Sequence, residues 1–250
     1  MPASALLLAS AAVRAASLNL CADEYLLLLA KPSEVVSVSY LSRDPLESPL
    51  WKAARTHPAN RGSLEDALNA QPTLVLTMGG GGRASGLIAR RLGLRTIDLQ
   101  ANGTPADVEA NLRAVASALG RPSAATGWIR RLRRLRTTAP PTAVDSIWLS
   151  GGGQSFAATS AGAEWMRLVG FRQRALPGGR ADLETLLVHP PEVIIESDYR
   201  RRQLSGGTRW LQHPIVRNAP SKRIRTDGRA WTCMGPLMIS EIERLRKAAP

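Results

Sequence analysis

One block of this sequence occurs twice. The fourteen residues Ser63 to Leu76 return 119 positions later as Asp182 to Ile195, with Leu64/Leu183, Glu65/Glu184, Leu68/Leu187 and Pro72/Pro191 identical in register. Each copy opens on a capping residue, Ser63 or Asp182, and carries Glu in the first turn of a short helix. A proline then ends the helix, and an apolar run reads as a buried strand. A duplicated helix–strand unit predicts two similar α/β halves. A cleft between two such halves is a preferred place for a small ligand.

Length and apolar content are compatible with that division. With 250 residues and 44% apolar content the chain can bury one large core or two of about 100 residues each, and the repeat favours two. The net charge of +13 raises the possibility of a polyanionic partner. However, 29 of the 33 basic residues are arginine and Ala and Gly are abundant, a skew that GC-rich coding produces without selection for binding. The stretch Ala5 to Ala12 resembles the end of a secretory h-region, with Ala9-Ser10-Ala11 as a cleavage candidate, although no basic n-region precedes it. It reads as the remnant of an export signal, or else as the first apolar element of a cytoplasmic protein. No other stretch approaches the ~18 apolar residues of a membrane span.

Strand and helix patterns alternate along the chain. Strands are expected over 15–20, 35–38, 74–77, 95–99, 146–150 and 223–225, beside the strand that closes the second repeat. Helices are expected over 23–30, 85–92, 105–119, 123–136, 163–169, 210–218 and 236–247. The proline-bearing stretch 42–61 shows no periodicity and reads as surface loop. Strand–helix–strand order predicts parallel sheets. In the 123–136 helix, Ile129, Leu132 and Leu135 form an apolar stripe and five arginines lie elsewhere, a solvated face without interleaved aromatics for nucleic acid.

Competing sites are weak. Gly79 to Gly82 follows a strand, as phosphate loops do, but no Gly-Lys-Ser/Thr follows and the dinucleotide fingerprint lacks its third glycine. Gly153-Gln154-Ser155-Phe156-Ala157 resembles a hydrolase elbow with Ala at its last position and no well-placed histidine. All three histidines precede proline, which rules out a helical pair of metal ligands. Neither a catalytic nor a metal site is expected. Aromatics are scarce, so Tyr40 at a strand end, Phe156 in a loop after a strand and Trp231 before the last helix are candidates for ligand contact. Trp51, Trp128, Trp148, Trp165 and Trp210 read as packing residues. Cys21 and Cys233 fall at loop positions and are open to three readings: buried thiols, a lobe-to-lobe disulfide, or ligand contacts.

Several motifs share an order. Ser17 to Glu24, Val38-Ser39-Tyr40, Gly62 to Glu65 with Pro72 to Leu76, Asp182-Leu183-Glu184 with Pro191 to Ile195, and Trp231 to Pro236 together resemble the periplasmic substrate-binding proteins of iron-siderophore, haem and cobalamin ABC transporters. The resemblance runs from about Ala15 to Arg246. It implies an α/β fold of the class III periplasmic-binding type, two similar three-layer lobes joined by one long rigid helix. The corresponding divisions are 1–14 as signal remnant or disordered segment, 15–121 as N-terminal lobe, 122–138 as joining helix and 139–250 as C-terminal lobe.

The resemblance further implies a periplasmic, monomeric, non-enzymatic protein that captures an iron chelate or a corrinoid as cargo. It would need no cofactor of its own and would bind no nucleic acid. Its partners would be an ABC permease and its ATPase, with Glu65 and Glu184 at the places where the family docks on the permease. By the same resemblance Tyr40 matches a cleft tyrosine that packs on the ligand, and Trp231 falls in the loop closing the cleft. Arg43 and Arg229 would meet an anionic chelate. Asn60 and Met78 stand where the cobalamin-binding members have tryptophans. Leu18-Asn19-Leu20 before Cys21 lacks the small residues of a lipobox, so a soluble protein is expected rather than a lipoprotein. The alternative is a cytoplasmic α/β enzyme that uses the glycine loops on a phosphorylated small molecule.

Overall fold

The computed structural model describes residues 12–80, 83–199 and 205–249. The h-region candidate therefore lies almost wholly outside the described residues, as do Gly81 and Gly82 of the first glycine loop. No helix among the described residues is long and apolar enough to cross a membrane.

The first half runs β1 (Ala15–Ser17), α1 (Leu20–Leu29), β2 (Val35–Ser39), α2 (Trp51–Ala54), β3 (Ala59–Asn60), α3 (Leu64–Leu68), β4 (Leu74–Met78), α4 (Arg83–Arg91), β5 (Arg95–Leu99) and α5 (Pro105–Ala118). Then comes α6 (Thr126–Thr137). The second half runs β6 (Val144–Leu149), α7 (Ala161–Val169), β7 (Phe171–Gln173), α8 (Leu183–Val188), β8 (Val193–Ser197), α9 (Gly206–Leu211), α10 (Pro214–Arg217), β9 (Lys222–Thr226), α11 (Gly228–Cys233) and α12 (Leu237–Ala248). Each half contains one sheet, ordered β3-β2-β1-β4-β5 and β7-β6-β8-β9, and every strand pair is parallel.

The repeat is visible in three dimensions. The Ser63 hydroxyl accepts from the Asp66 N–H at 3.2 Å and the Asp182 carboxylate from the Thr185 N–H at 2.6 Å. Both caps therefore satisfy first-turn donors of their helices. The strands that follow, β4 and β8, start at equivalent positions and lie beside β1 and β6, the strands at the reversal of order in each sheet. Their Leu74, Val75 and Leu76, and Val193, Ile194 and Ile195, are buried on both faces, as interior parallel strands require.

Burial departs from the expectation of two separate cores. The principal cluster includes Leu26, Leu76 and Leu112 from the first half, Leu132 and Leu135 from α6, and Trp165, Ile195 and Met238 from the second. Only the outer faces of the two sheets have clusters of their own, around Leu64 and Val75 in one and around Leu186 and Ile194 in the other. The α6 helix is held on both sides. Arg133 pairs with Glu109 of α5 at 2.7 Å, and Arg131 pairs with Glu243 of α12 at 2.6 Å. Part of the arginine face is thus spent on two shared glutamates.

Other departures have local causes. The helix expected over 210–218 is two helices, because Pro214 cannot supply the N–H that a continuous helix needs there. His213 caps the second through its Nδ1, which accepts from the Ile215 N–H at 3.3 Å. Trp231 and Cys233, expected in a loop, lie in α11, whose N-cap Asp227 accepts from the Arg229 N–H. Cys21, also expected in a loop, lies in the first turn of α1. It is disulfide-bonded to Cys233, with the Cα atoms 5.2 Å apart, which decides among the three readings of the cysteines.

Candidate functional site

In open parallel sheets, ligands bind outside the carboxyl ends of the strands, near the reversal of strand order. Here the carboxyl ends of the two sheets approach each other. Tyr199, after β8, donates its hydroxyl to Glu47, beyond β2, at 2.7 Å. Arg229, after β9, donates to the Pro45 carbonyl at 2.8 Å. Trp165 of α7 donates its indole N–H to the Gly103 carbonyl, after β5, at 2.7 Å.

The wall contributed by the first half is built on a buried carboxylate. Asp23 accepts the Ser39 N–H at 3.1 Å to each oxygen and the Ser39 hydroxyl as well, and the Ser42 hydroxyl donates to the Ser39 carbonyl at 2.8 Å. Burial pushes the Asp23 carboxyl up to about 7, against the opposing pull of its hydrogen bonds. These bonds fix the 3₁₀ turn Tyr40–Arg43 at the end of β2. The turn leaves Tyr40 55% exposed, among the few large hydrophobic side chains that open to solvent in the described residues. Tyr40 and Arg43 line an open cavity of about 590 Å³ together with Asp44, Pro45, Arg55 and Ala59.

Arg55 carries no signal in the sequence reading, since its stretch lacks periodicity. It is held twice, by its Nε donating to the Arg43 carbonyl at 3.0 Å and by its guanidinium lying 4.6 Å from the Trp51 ring centroid. The i, i+4 spacing of Trp51 and Arg55 is the clue that was available. The cavity thus combines an exposed phenol with two guanidinium groups against the single carboxylate of Asp44, a net positive surface suited to an aromatic or planar ligand bearing carboxylates.

The remaining candidates are placed differently. Arg229 is clamped by the Asp227 carboxylate at 2.7 and 2.9 Å and bridges to Pro45, so it borders the cleft as a strut. Trp231 is only 3% exposed. It donates to the Thr226 hydroxyl at 2.6 Å and stacks on the half-buried Phe156 with centroids 5.5 Å apart, while Trp148 lies 4.2 Å from Phe156. These rings form the floor of the second half. Asn60 is buried, its amide donating to the Ser17 carbonyl at 2.9 Å and the Ser37 hydroxyl at 2.7 Å while its carbonyl accepts from Gly62. It ties β3 to β1 and β2. Met78 is half-buried at the end of β4, against the principal core.

Glu65 and Glu184 are both exposed, and neither has an ion-pair or hydrogen-bond partner among the described residues. Their helices start at matching edges. A Cβ on Gly62 would stand 3.1 Å from the Leu18 carbonyl, just past β1, and Ala181 donates its N–H to Gly153, just past β6, at 2.8 Å. Both helices thus begin close to the carboxyl ends of β1 and β6.

The glycine loops are spent locally. Gly80 donates its N–H to the Asp98 carboxylate at 3.1 Å, and a carboxylate there repels a phosphate. Ser155 donates its hydroxyl to the Trp148 carbonyl, which leaves no activated nucleophile in the elbow-like sequence. Among the described residues no group of His, Cys, Asp and Glu is placed to hold a metal ion.

No protein-family model matches the sequence, and a comparison with curated proteins finds no match either. Solved structures do match. The apo periplasmic haem-binding protein RhuT of Roseiflexus sp. RS-1 superposes with a TM-score of 0.72 at 20% identity, covering 95% of this chain and 97% of that one. The periplasmic haem-binding protein HutB of Vibrio cholerae gives 0.69 at 17% identity, over 94% and 98%. The periplasmic vitamin B12-binding protein BtuF of Vibrio cholerae gives 0.63 at 19% identity, over 94% and 95%. At nearly full length in both directions, the chain has the two-sheet α/β fold of the periplasmic haem-binding and vitamin B12-binding proteins.

Proposed function

We propose that the protein is the substrate-binding component of an ABC transporter. It captures a metal chelate in the periplasm, haem foremost among them, and hands it to a membrane permease driven by an ATPase. The observation that carries this reading is the exposed phenol of Tyr40 beside Arg43 and Arg55, at the carboxyl edge of a parallel sheet in a fold of this kind. Haem offers a flat aromatic face, two carboxylates and an iron that accepts a phenolate oxygen as axial ligand. An anionic ferric siderophore meets the same arginines. A corrinoid fits less well, because Asn60 and Met78 provide no aromatic surface and Asn60 has no amide hydrogen free for a ligand. The bond between Cys21 and Cys233 supports residence in an oxidising compartment. In this reading the protein is a monomer without catalytic residues, and Glu65 and Glu184 face the permease.

The test is titration of the purified protein with haem, cyanocobalamin and ferric siderophores, followed by Soret absorbance and tryptophan fluorescence. Haem is expected to bind, and Tyr40→Ala to weaken it by at least about tenfold, equivalent to ~1.4 kcal/mol. Silence toward every ligand would end the proposal.

A further inference from the structure

The repeat makes the surroundings of Glu65 and Glu184 directly comparable, and they differ. Beside Glu65, the position three residues on is Leu68, half-buried against the outer cluster of its sheet, and the next is the polar Asn69. Beside Glu184 the same positions are Leu187, 64% exposed, and Val188, 56% exposed. Two adjacent aliphatic side chains that open to solvent gain nothing from folding this chain. A groove of about 240 Å³ lies beside Leu187, between α8 and α10, with Leu186 and Leu187 on one side and Pro214, Ile215 and Pro220 on the other. Glu184 stands one helical turn from Leu187, unpaired, in a chain of net charge +13 where arginines hold other carboxylates such as Glu34, Glu109, Asp145 and Glu243.

We propose that the second half docks through a mixed socket. The groove between α8 and α10 takes an aliphatic side chain of the permease, and Glu184 pairs with a cation one helical turn away on the same permease surface. The occupant is a protein surface that pairs a basic with an aliphatic residue, as charge and apolar area together demand. This inference rests on the permease-docking reading above. It adds that the two halves are unequal partners: Glu65 offers a charge alone, whereas Glu184 offers a charge and an apolar anchor. Against a permease built as a symmetric dimer the two orientations are equivalent, so the inequality makes one of two like docking sites the stronger contact rather than choosing between protomers.

The experiment uses the full-length protein, fluorescently labelled, and proteoliposomes containing the permease and ATPase complex. Leu187→Ser with Val188→Ser is expected to weaken docking about tenfold, the scale set by burying one aliphatic side chain, while haem affinity stays unchanged. Pro220→Glu, on the opposite wall of the groove, should do the same and serves if the first variant melts early. Wild-type docking by both variants, with docking lost in Glu184→Arg, would overturn the apolar anchor and leave the permease reading intact. Unchanged docking by all three, and by Glu65→Arg, would overturn both. Sedimentation showing a wild-type dimer that Leu187→Ser with Val188→Ser converts to monomer would assign the groove to a second copy and overturn the proposal.

Discussion

Removing the bond between Cys21 and Cys233 gives the sharpest quantitative test of this architecture. The two residues are 212 positions apart, so the bridge closes almost the entire chain into one loop. In the chain-entropy treatment a loop of that length removes about 18 cal/mol/K from the unfolded ensemble, about 5 kcal/mol at room temperature. The hydrogen bonds and core shared by the two halves do not duplicate this effect, because they act on the folded state alone. Cys21→Ser with Cys233→Ser is therefore expected to lose about 5 kcal/mol and to melt about 10 °C lower, given the unfolding entropy of a chain this size. Urea denaturation with and without reductant is the assay. The reduced wild type should coincide with the double variant, and its transition should steepen because the uncrosslinked unfolded chain exposes more surface. Melting temperatures of oxidised and reduced protein within about 2 °C would refute the reasoning, and so would two titratable thiols in the unreduced protein.

Two further outcomes concern a buried carboxyl and a pair of glycines. Burial pushes the Glu24 carboxyl from its ordinary 4.5 to about 8, opposed by the hydrogen bond from the Leu237 N–H, so the folded protein holds this proton more tightly than the unfolded chain. Its contribution is complete below 4.5 and is lost as pH rises through about 8. Glu24→Gln should flatten the fall in urea midpoint over that window, leaving only the part due to Asp23, which is spent near pH 7. Identical slopes for variant and wild type would contradict the assignment. A Cβ on Gly153, at φ +78°, would stand 2.3 Å from the Ala181 carbonyl, whereas one on Gly120, at φ +70°, meets nothing within 4 Å. Gly120→Ala should cost about 1 kcal/mol from backbone strain alone, and Gly153→Ala considerably more, as read from melting temperatures.

The parts legible in the sequence were those set by local chemistry. The 95–99 strand has the expected bounds, and the two repeat blocks form capped helices and strands as their residues require. β7 escaped notice because three residues containing Arg172 and Gln173 at a sheet edge show no apolar run. α11 escaped because a six-residue helix starting at Gly228 has no periodicity to read. Sharing of the core was not legible, since periodicity tells which face is buried and not which neighbour covers it. The exposed position of Tyr40 was legible, because a residue that ends a strand leaves the sheet. The position of Trp231 before the last helix suits the cleft equally well, yet an indole serves packing as well as binding, and here Thr226 and Phe156 claim it. The cysteine pairing could not be chosen because the pairing depends on how the halves meet.

The first turn of α1 gathers three ties within four residues. Cys21 is bonded to Cys233 of α11, Asp23 anchors the turn bearing Tyr40, and Glu24 accepts the Leu237 N–H at the start of α12 at 2.5 Å. The jaw that carries Tyr40, the proposed ligand contact, and the seam between the jaws thus share one mounting. If the proposed function holds, such a receptor would meet its cargo already shaped, with little closure entropy to offset, and its selectivity would come from fit rather than from motion. Under the same proposal the stiffness would set the terms of unloading: cargo held between fixed jaws would not leave by spontaneous gaping, and mechanical work from the transporter would have to spread them.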